Sequence, residues 1–163
     1  MTDWINDKRW SDRFLPEIKM ILGLHLIGEP PIEEDCERNT DLIVLKMDPV
    51  RIACRIRKNE YYARYPNEIT IRSGRPSGAK TELAKIIEGW GNYLFYGFAN
   101  CDETALAAWR LCDLSALRLC IMRRLWIEKE MPGTHKKNGD GSSTFYAFDV
   151  TTMKEIIVAD KGF

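Results

Sequence analysis

The stretch from Thr40 to Lys58, TDLIVLKMDPVRIACRIRK, constrains this chain more than any other. Asp41 opens the apolar run Leu42–Leu45, and Asp48-Pro49 breaks it. In a second run Ile52, Cys54 and Ile56 alternate with Arg51, Ala53, Arg55 and Arg57. Alternation with a period of two marks a half-buried strand. Asp-Pro suits a turn, because proline presets the backbone there. The reading is a hairpin of strands 41–47 and 51–57. Its second strand buries one face and carries Arg51, Arg55 and Arg57 on the other. Such a face is either an ordinary solvated surface or a cationic surface beside one carboxylate, which suits a phosphodiester backbone.

Charge elsewhere sharpens the contrast. The 163 residues carry no formal net charge, so the molecule as a whole is no polycation. Yet Met1–Asp41 holds ten acids against five basic residues, while Leu42–Lys85 holds ten basic residues against four acids. A basic middle beside an acidic flank either binds a polyanion at one place or neutralises itself. The length suits a single domain spanning residues 1–163.

Five cysteines, at 36, 54, 101, 112 and 120, form no Cys-x-x-Cys pair. Cys54, Cys112 and Cys120 sit in apolar runs and read as reduced core residues of a cytoplasmic protein, not as disulfides or a zinc site. His25 and His135 have no ligand spacing around them, and His25, between Leu24 and Leu26, reads as a packed histidine. No signal-peptide core follows Met1, and no apolar run reaches membrane-spanning length. No membrane partner is therefore expected.

From Asp3 to Leu22 the later apolar residues are spaced by three and four, the mark of an amphipathic helix, interrupted at Pro16. Glu17 opens its second part and Gly23 caps the end; Leu24–Ile27 reads as a short strand. Glu68–Arg72 alternates and gives a third strand. Ser73–Gly78 is a loop whose glycine spacing fails the phosphate-loop pattern. Lys80–Trp90 reads as a helix, Tyr93–Phe98 as a central strand, and Asp102–Lys129 as the longest helix. Met131–Ser143 reads as a loop, Thr144–Val150 as a last strand, and Ile156–Val158 as an edge strand. The fold class is α/β, a central mixed sheet (41–47, 51–57, 68–72 and 93–98) flanked by helices.

This order of elements resembles the core of the PD-(D/E)XK, or restriction-endonuclease-like, nucleases over about residues 3–98. Thr40-Asp41 at a strand start resembles the family's metal-binding acid, Arg55-Ile56-Arg57 stands where the family carries acid-x-Lys, and Glu17 resembles the third acid of some members. The resemblance implies a Mg²⁺-dependent phosphodiesterase, with Mn²⁺ as a substitute metal. Carboxylates from neighbouring elements hold the hard cation, which activates water. Asp41, Glu17 and Glu82 are the implied metal ligands, and these three with Arg57 are the implied catalytic set. The departure is Arg55 at the acid position, because a guanidinium stays protonated and binds no Mg²⁺. Either Glu82 supplies the missing acid or the site is dead. The alternative function is a catalytically inactive nucleic-acid-binding or regulatory protein on the same scaffold. In both readings the partner is nucleic acid, DNA ahead of RNA, and Arg55, Arg57, Arg72 and Lys85 are the expected phosphate-binding residues. A simpler role for Asp41 is an ion pair with Arg55 across the hairpin.

Overall fold

The computed structural model describes residues 2–28, 43–44 and 50–163. Two N-terminal helices, α1 (Thr2–Asp12) and α2 (Leu15–Leu26), are separated just before Pro16. Pro16 falls in the first turn of α2, where its missing N–H costs nothing, and Glu17 lies in the same turn. Gly23 does not end α2, which runs on to Leu26 before β1 (Ile27–Gly28).

The hairpin expected around Asp48-Pro49 is not what the described residues form. β2 (Ile43–Val44) pairs antiparallel with β1, whereas β3 (Ile52–Arg57) lies parallel to β5 (Tyr93–Ala99). Asp41, Leu42 and residues 45–49 lie outside the described residues. A parallel pair needs a long crossover. Here it contains α3 (Asn59–Arg64), β4 (Glu68–Gly74) and α4 (Glu82–Ile87). The third expected strand, β4, joins a different sheet from β3 and β5.

The largest revision concerns residues 102–129. Leu106–Asp113 is strand β6, and only Leu114–Ile127 is helix, α5. β6 is buried on both faces from Ala108 to Cys112, Arg110 included, so its side chains show no alternation to distinguish it from helix. The boundary is set by Asp113, whose carboxylate accepts from the backbone N–H groups of Ser115 and Ala116. The presumed loop after Met131 contains β7 (Thr134–Lys137), paired with β8 (Thr144–Asp149), and β9 (Ile157–Lys161) pairs with β6.

Among the described residues the main sheet therefore runs β3-β5-β6-β9, mixed, and a second antiparallel sheet runs β4-β8-β7. The α/β class with a mixed sheet and covering helices holds. Alternation along β5 divides the core into two layers. Leu94, Tyr96 and Phe98 face the second sheet, α4 and α5, packing with Ile69, Ile71, Phe148, Leu117 and Ile121. Phe95 and Ala99 face α2, packing with Phe14, Ile18, Leu22, Ile56, Trp109 and Leu111. At Gly97 the layers approach closely, and a Cβ there would lie 3.0 Å from Ile56 Cδ1 and 3.1 Å from Leu106 Cδ2. Of the cysteines read as core residues, Cys112 is buried, Cys54 is exposed and Cys120 is half-buried.

Candidate nucleic-acid interface

The two sheets leave a cleft of about 540 Å³ at the end of β3. Arg57, the last residue of β3, reaches it directly. The chain then turns into α3, which has no side-chain cap at Lys58 and presents Tyr61 on its inner side. Tyr65 closes the helix, and its N–H donates to the Tyr61 carbonyl. Glu68 and Thr70 of β4, Tyr96 and Phe98 of β5, Lys136 and Lys137 of β7, Asn138 and Phe145 complete the wall.

Two cation–tyrosine pairs organise this wall. The Arg57 guanidinium lies 4.0 Å from the Tyr61 ring centroid, and the Lys136 ammonium lies 5.1 Å from that of Tyr65. A cation over an aromatic face is attracted by the ring quadrupole. Lys136 also contacts Glu68 at 3.1 Å. With Arg57, Lys136 and Lys137 against the single acid Glu68, the lining is positive on balance. At the floor, the Tyr96 and Thr70 hydroxyls are 3.1 Å apart.

Thr70 also connects the cleft to a second, more apolar cavity of about 340 Å³. Arg55 lines that cavity and is tied to the protein on both sides. Its Nη1 donates to the Thr70 carbonyl at 2.7 Å, and its Nη2 donates to both Glu82 oxygens at 2.7 and 2.8 Å. Glu82 accepts a further bond from the Arg72 backbone N–H at 3.2 Å. Burial pushes the Arg72 guanidinium below its ordinary value, with neighbouring Glu82 opposing the shift. Lys85, one helical turn from Glu82, lines the same second cavity.

The residues singled out from sequence are thus divided between sites. Arg57 lies in the polar cleft; Arg55, Glu82 and Lys85 lie around the apolar cavity. Glu17 is in another layer altogether, where its carboxylate accepts from the Leu106 N–H at 3.0 Å and fixes α2 to the start of β6. Asp41 lies outside the described residues. The sheet separates Glu17 from Glu82, and the Arg55 charge sits 2.7 Å from the Glu82 carboxylate. These two acids do not fit one divalent cation, which needs converging oxygens free of a competing guanidinium. Among the described residues no group of three His, Cys, Asp or Glu is placed to hold a metal ion.

Tyr61, Tyr65, Lys136, Lys137 and Asn138 were not singled out from sequence. Their signal was present as an aromatic stretch, Asn59–Tyr65, and a lysine-rich stretch after Met131. Tyr65 and Lys136 are 71 positions apart, and only the packing of β4 against β8, and of β8 against β7, brings the two stretches to one cleft. No helix among the described residues is long and apolar enough to cross a membrane. No family model, curated protein or solved structure matches the chain.

Proposed function

We propose that the protein binds single-stranded nucleic acid in the cleft between α3 and the β7–β8 hairpin. The observation that carries this reading is the pairing of cation with aromatic face at two separate places, Arg57 with Tyr61 and Lys136 with Tyr65. A single strand alternates phosphate with planar base. Proteins that hold one combine positive charge along the backbone with aromatic platforms for the bases. Duplex presents its bases already stacked and offers those platforms nothing.

The binding reading is favoured over Mg²⁺-dependent cleavage because Glu17 and Glu82 are engaged with protein groups on opposite sides of the main sheet. In this reading Arg57 makes a phosphate contact, whereas Arg55 is a neutralised partner of Glu82.

The test is fluorescence anisotropy with a labelled oligodeoxynucleotide, single-stranded and duplex, over a salt series. Arg57→Ala is expected to weaken single-strand binding and to lower the slope of log affinity against log salt by about 0.7 for the lost contact. Tyr65→Ala is expected to weaken binding about fivefold or more, the loss of one stacked base, with the slope unchanged. Failure to bind single strands at low salt, or an Arg57→Ala variant indistinguishable from the parent, refutes the proposal. Cleavage of the strand on adding Mg²⁺ would restore the nuclease reading.

A further inference from the structure

The second cavity, of about 340 Å³, has an apolar floor and a charged mouth. Its size lies at the small end of the range for small-molecule sites, roughly 300–1,000 Å³. Ile71 of β4, Ile86 of α4, Leu94 of β5 and Leu114 of α5 form the floor, and all four are buried. The mouth is marked by exposed lining residues on two sides, Arg51 and Ala53 on one and Lys85 and Trp90 on the other. Among the described residues β3 is an edge strand of the main sheet. Its Ile52 and Ile56 turn towards α2, so alternation puts Arg51, Ala53 and Arg55 on the face that lines the cavity. A residue as small as Ala53 leaves this side of the mouth open.

The end of α4 builds the other side. The Gly89 N–H donates to the Ile86 carbonyl at 3.0 Å, and the Trp90 N–H donates to the Lys85 carbonyl at 2.9 Å. These two bonds, with Gly89 at a φ of +93°, close the helix through a left-handed glycine and fix the residue that follows it. Trp90 is thereby set beside Lys85. It lines the cavity and yet remains 61 % exposed. A tryptophan carried on a fixed helix end, with so much of its surface open, is a preformed platform for a flat apolar group.

Four charged residues line the cavity, Arg51, Arg55, Glu82 and Lys85. Arg55 and Glu82 neutralise each other. Glu88, the next acid along the chain, is engaged by Lys80. Arg51 and Lys85 make no ion pair among the described residues. Two uncompensated positive charges therefore stand at the mouth of an apolar cavity, one at the start of β3 and one on α4.

We propose that this cavity binds a small organic anion, an apolar ring body carrying one carboxylate. The ring body displaces water from the floor and lies against Trp90, and the carboxylate stays at the mouth near Arg51 and Lys85. Charge selects the occupant. An ammonium on the same body would meet like charge, and a neutral molecule would leave both cations unused. The site is separate from the tyrosine-lined cleft and does not rest on nucleic-acid binding there.

The test is isothermal titration calorimetry of the full chain with 1-naphthoate, 1-naphthylmethylammonium and 1-naphthalenemethanol, which share one ring body. Naphthoate is expected to bind about tenfold tighter than the other two, and salt is expected to narrow the difference. Arg51→Ala and Lys85→Ala are each expected to weaken naphthoate about threefold, the scale of one exposed charge contact, and to leave the alcohol unchanged. Replacing both by glutamate is expected to turn the preference to the ammonium. Ala53→Trp, at an exposed position, is expected to fill the mouth and abolish binding, with unchanged circular dichroism as the check on folding. Absence of naphthoate binding at millimolar concentration overturns the proposal. So does equal affinity for the three compounds, which would leave an apolar cavity without selection by charge. Naphthoate binding that survives Ala53→Trp, or that Arg57→Ala weakens more than Lys85→Ala does, overturns it too, because the ligand would then sit in the tyrosine-lined cleft.

Discussion

Arg55 on β3 holds Glu82 on α4 through one nitrogen, its Nη2 lying 2.7 Å from one carboxylate oxygen and 2.8 Å from the other. The pair joins the edge of the main sheet to the helix that covers the inter-sheet core. The Arg55 side chain retains only 19 % of its exposure, so the guanidinium has given up much of its water and depends on Glu82 for compensation. Glu82→Gln removes the charge and one of the two acceptor oxygens. It is expected to destabilise the protein by about 2 kcal/mol, the scale for hydrogen bonds to a charged group. Urea denaturation measures it, and the loss is expected to be the same with and without Mn²⁺. A stability difference that appears only with the metal would identify Glu82 as a ligand.

Glu17 separates a structural acceptor from a metal ligand in a different way. Its carboxylate accepts from the Leu106 N–H at 3.0 Å. Glu17→Gln keeps a carbonyl oxygen for that bond and is expected to melt close to the parent. Glu17→Ala leaves the N–H without its acceptor, and a loss of about 1–2 kcal/mol is expected. Equal losses in the two variants would show that the negative charge matters and not the acceptor.

Asp113 decides where β6 ends and α5 begins. Its Oδ1 lies 2.6 Å from the Ser115 N–H nitrogen and 3.1 Å from that of Ala116. Asp113→Ala is expected to cost about 1 kcal/mol, the usual penalty for removing a helix N-cap, and Asp113→Asn much less. Thermal or urea melts of the two variants, followed by circular dichroism, provide the comparison.

Stability is expected to fall in alkali through the cysteines. Burial pushes the Cys112 thiol up to about 12, with Arg110 opposing the shift. Burial, and after it the hydrogen bond to Glu155, pushes Cys120 up to about 11. An unfolded thiol titrates near 9.0. The folded state therefore holds these protons more tightly. Their contribution is complete below pH 9 and is lost as the pH rises from 9 towards 11 and 12. Urea midpoints measured across pH 8–11 are expected to decline above pH 9, and Cys112→Ala is expected to make that decline shallower. A decline of the same steepness in Cys112→Ala would remove Cys112 as a cause.

Periodicity identified the strands at Ile52–Arg57 and Glu68–Arg72 and the helical stretch around Pro16, where the burial of one face makes the pattern visible. Tyr93–Phe98 was legible in another way, as a short aromatic run apolar at nearly every position, which suits a central strand. Pairing was not determined in this way. An alternating strand reads the same whether its neighbour is the next strand in sequence or one that follows a crossover. β3 therefore looked like half of a hairpin although it lies parallel to β5. The segment 106–113 misled for the opposite reason, since burial on both faces erases alternation.

Tertiary structure alone decided the candidate site. The sequence specified that Arg57 ends a basic strand, that tyrosines follow it, and that lysines cluster after Met131. Whether these meet depends on the order β4-β8-β7, which rests on backbone hydrogen bonds and core packing between residues far apart in the chain. The same dependence removed Glu82 and Arg55 from the expected metal and phosphate roles. A carboxylate and a guanidinium 27 positions apart carry no local signal of each other, and their mutual neutralisation follows only from the packing of α4 against β3 and β4.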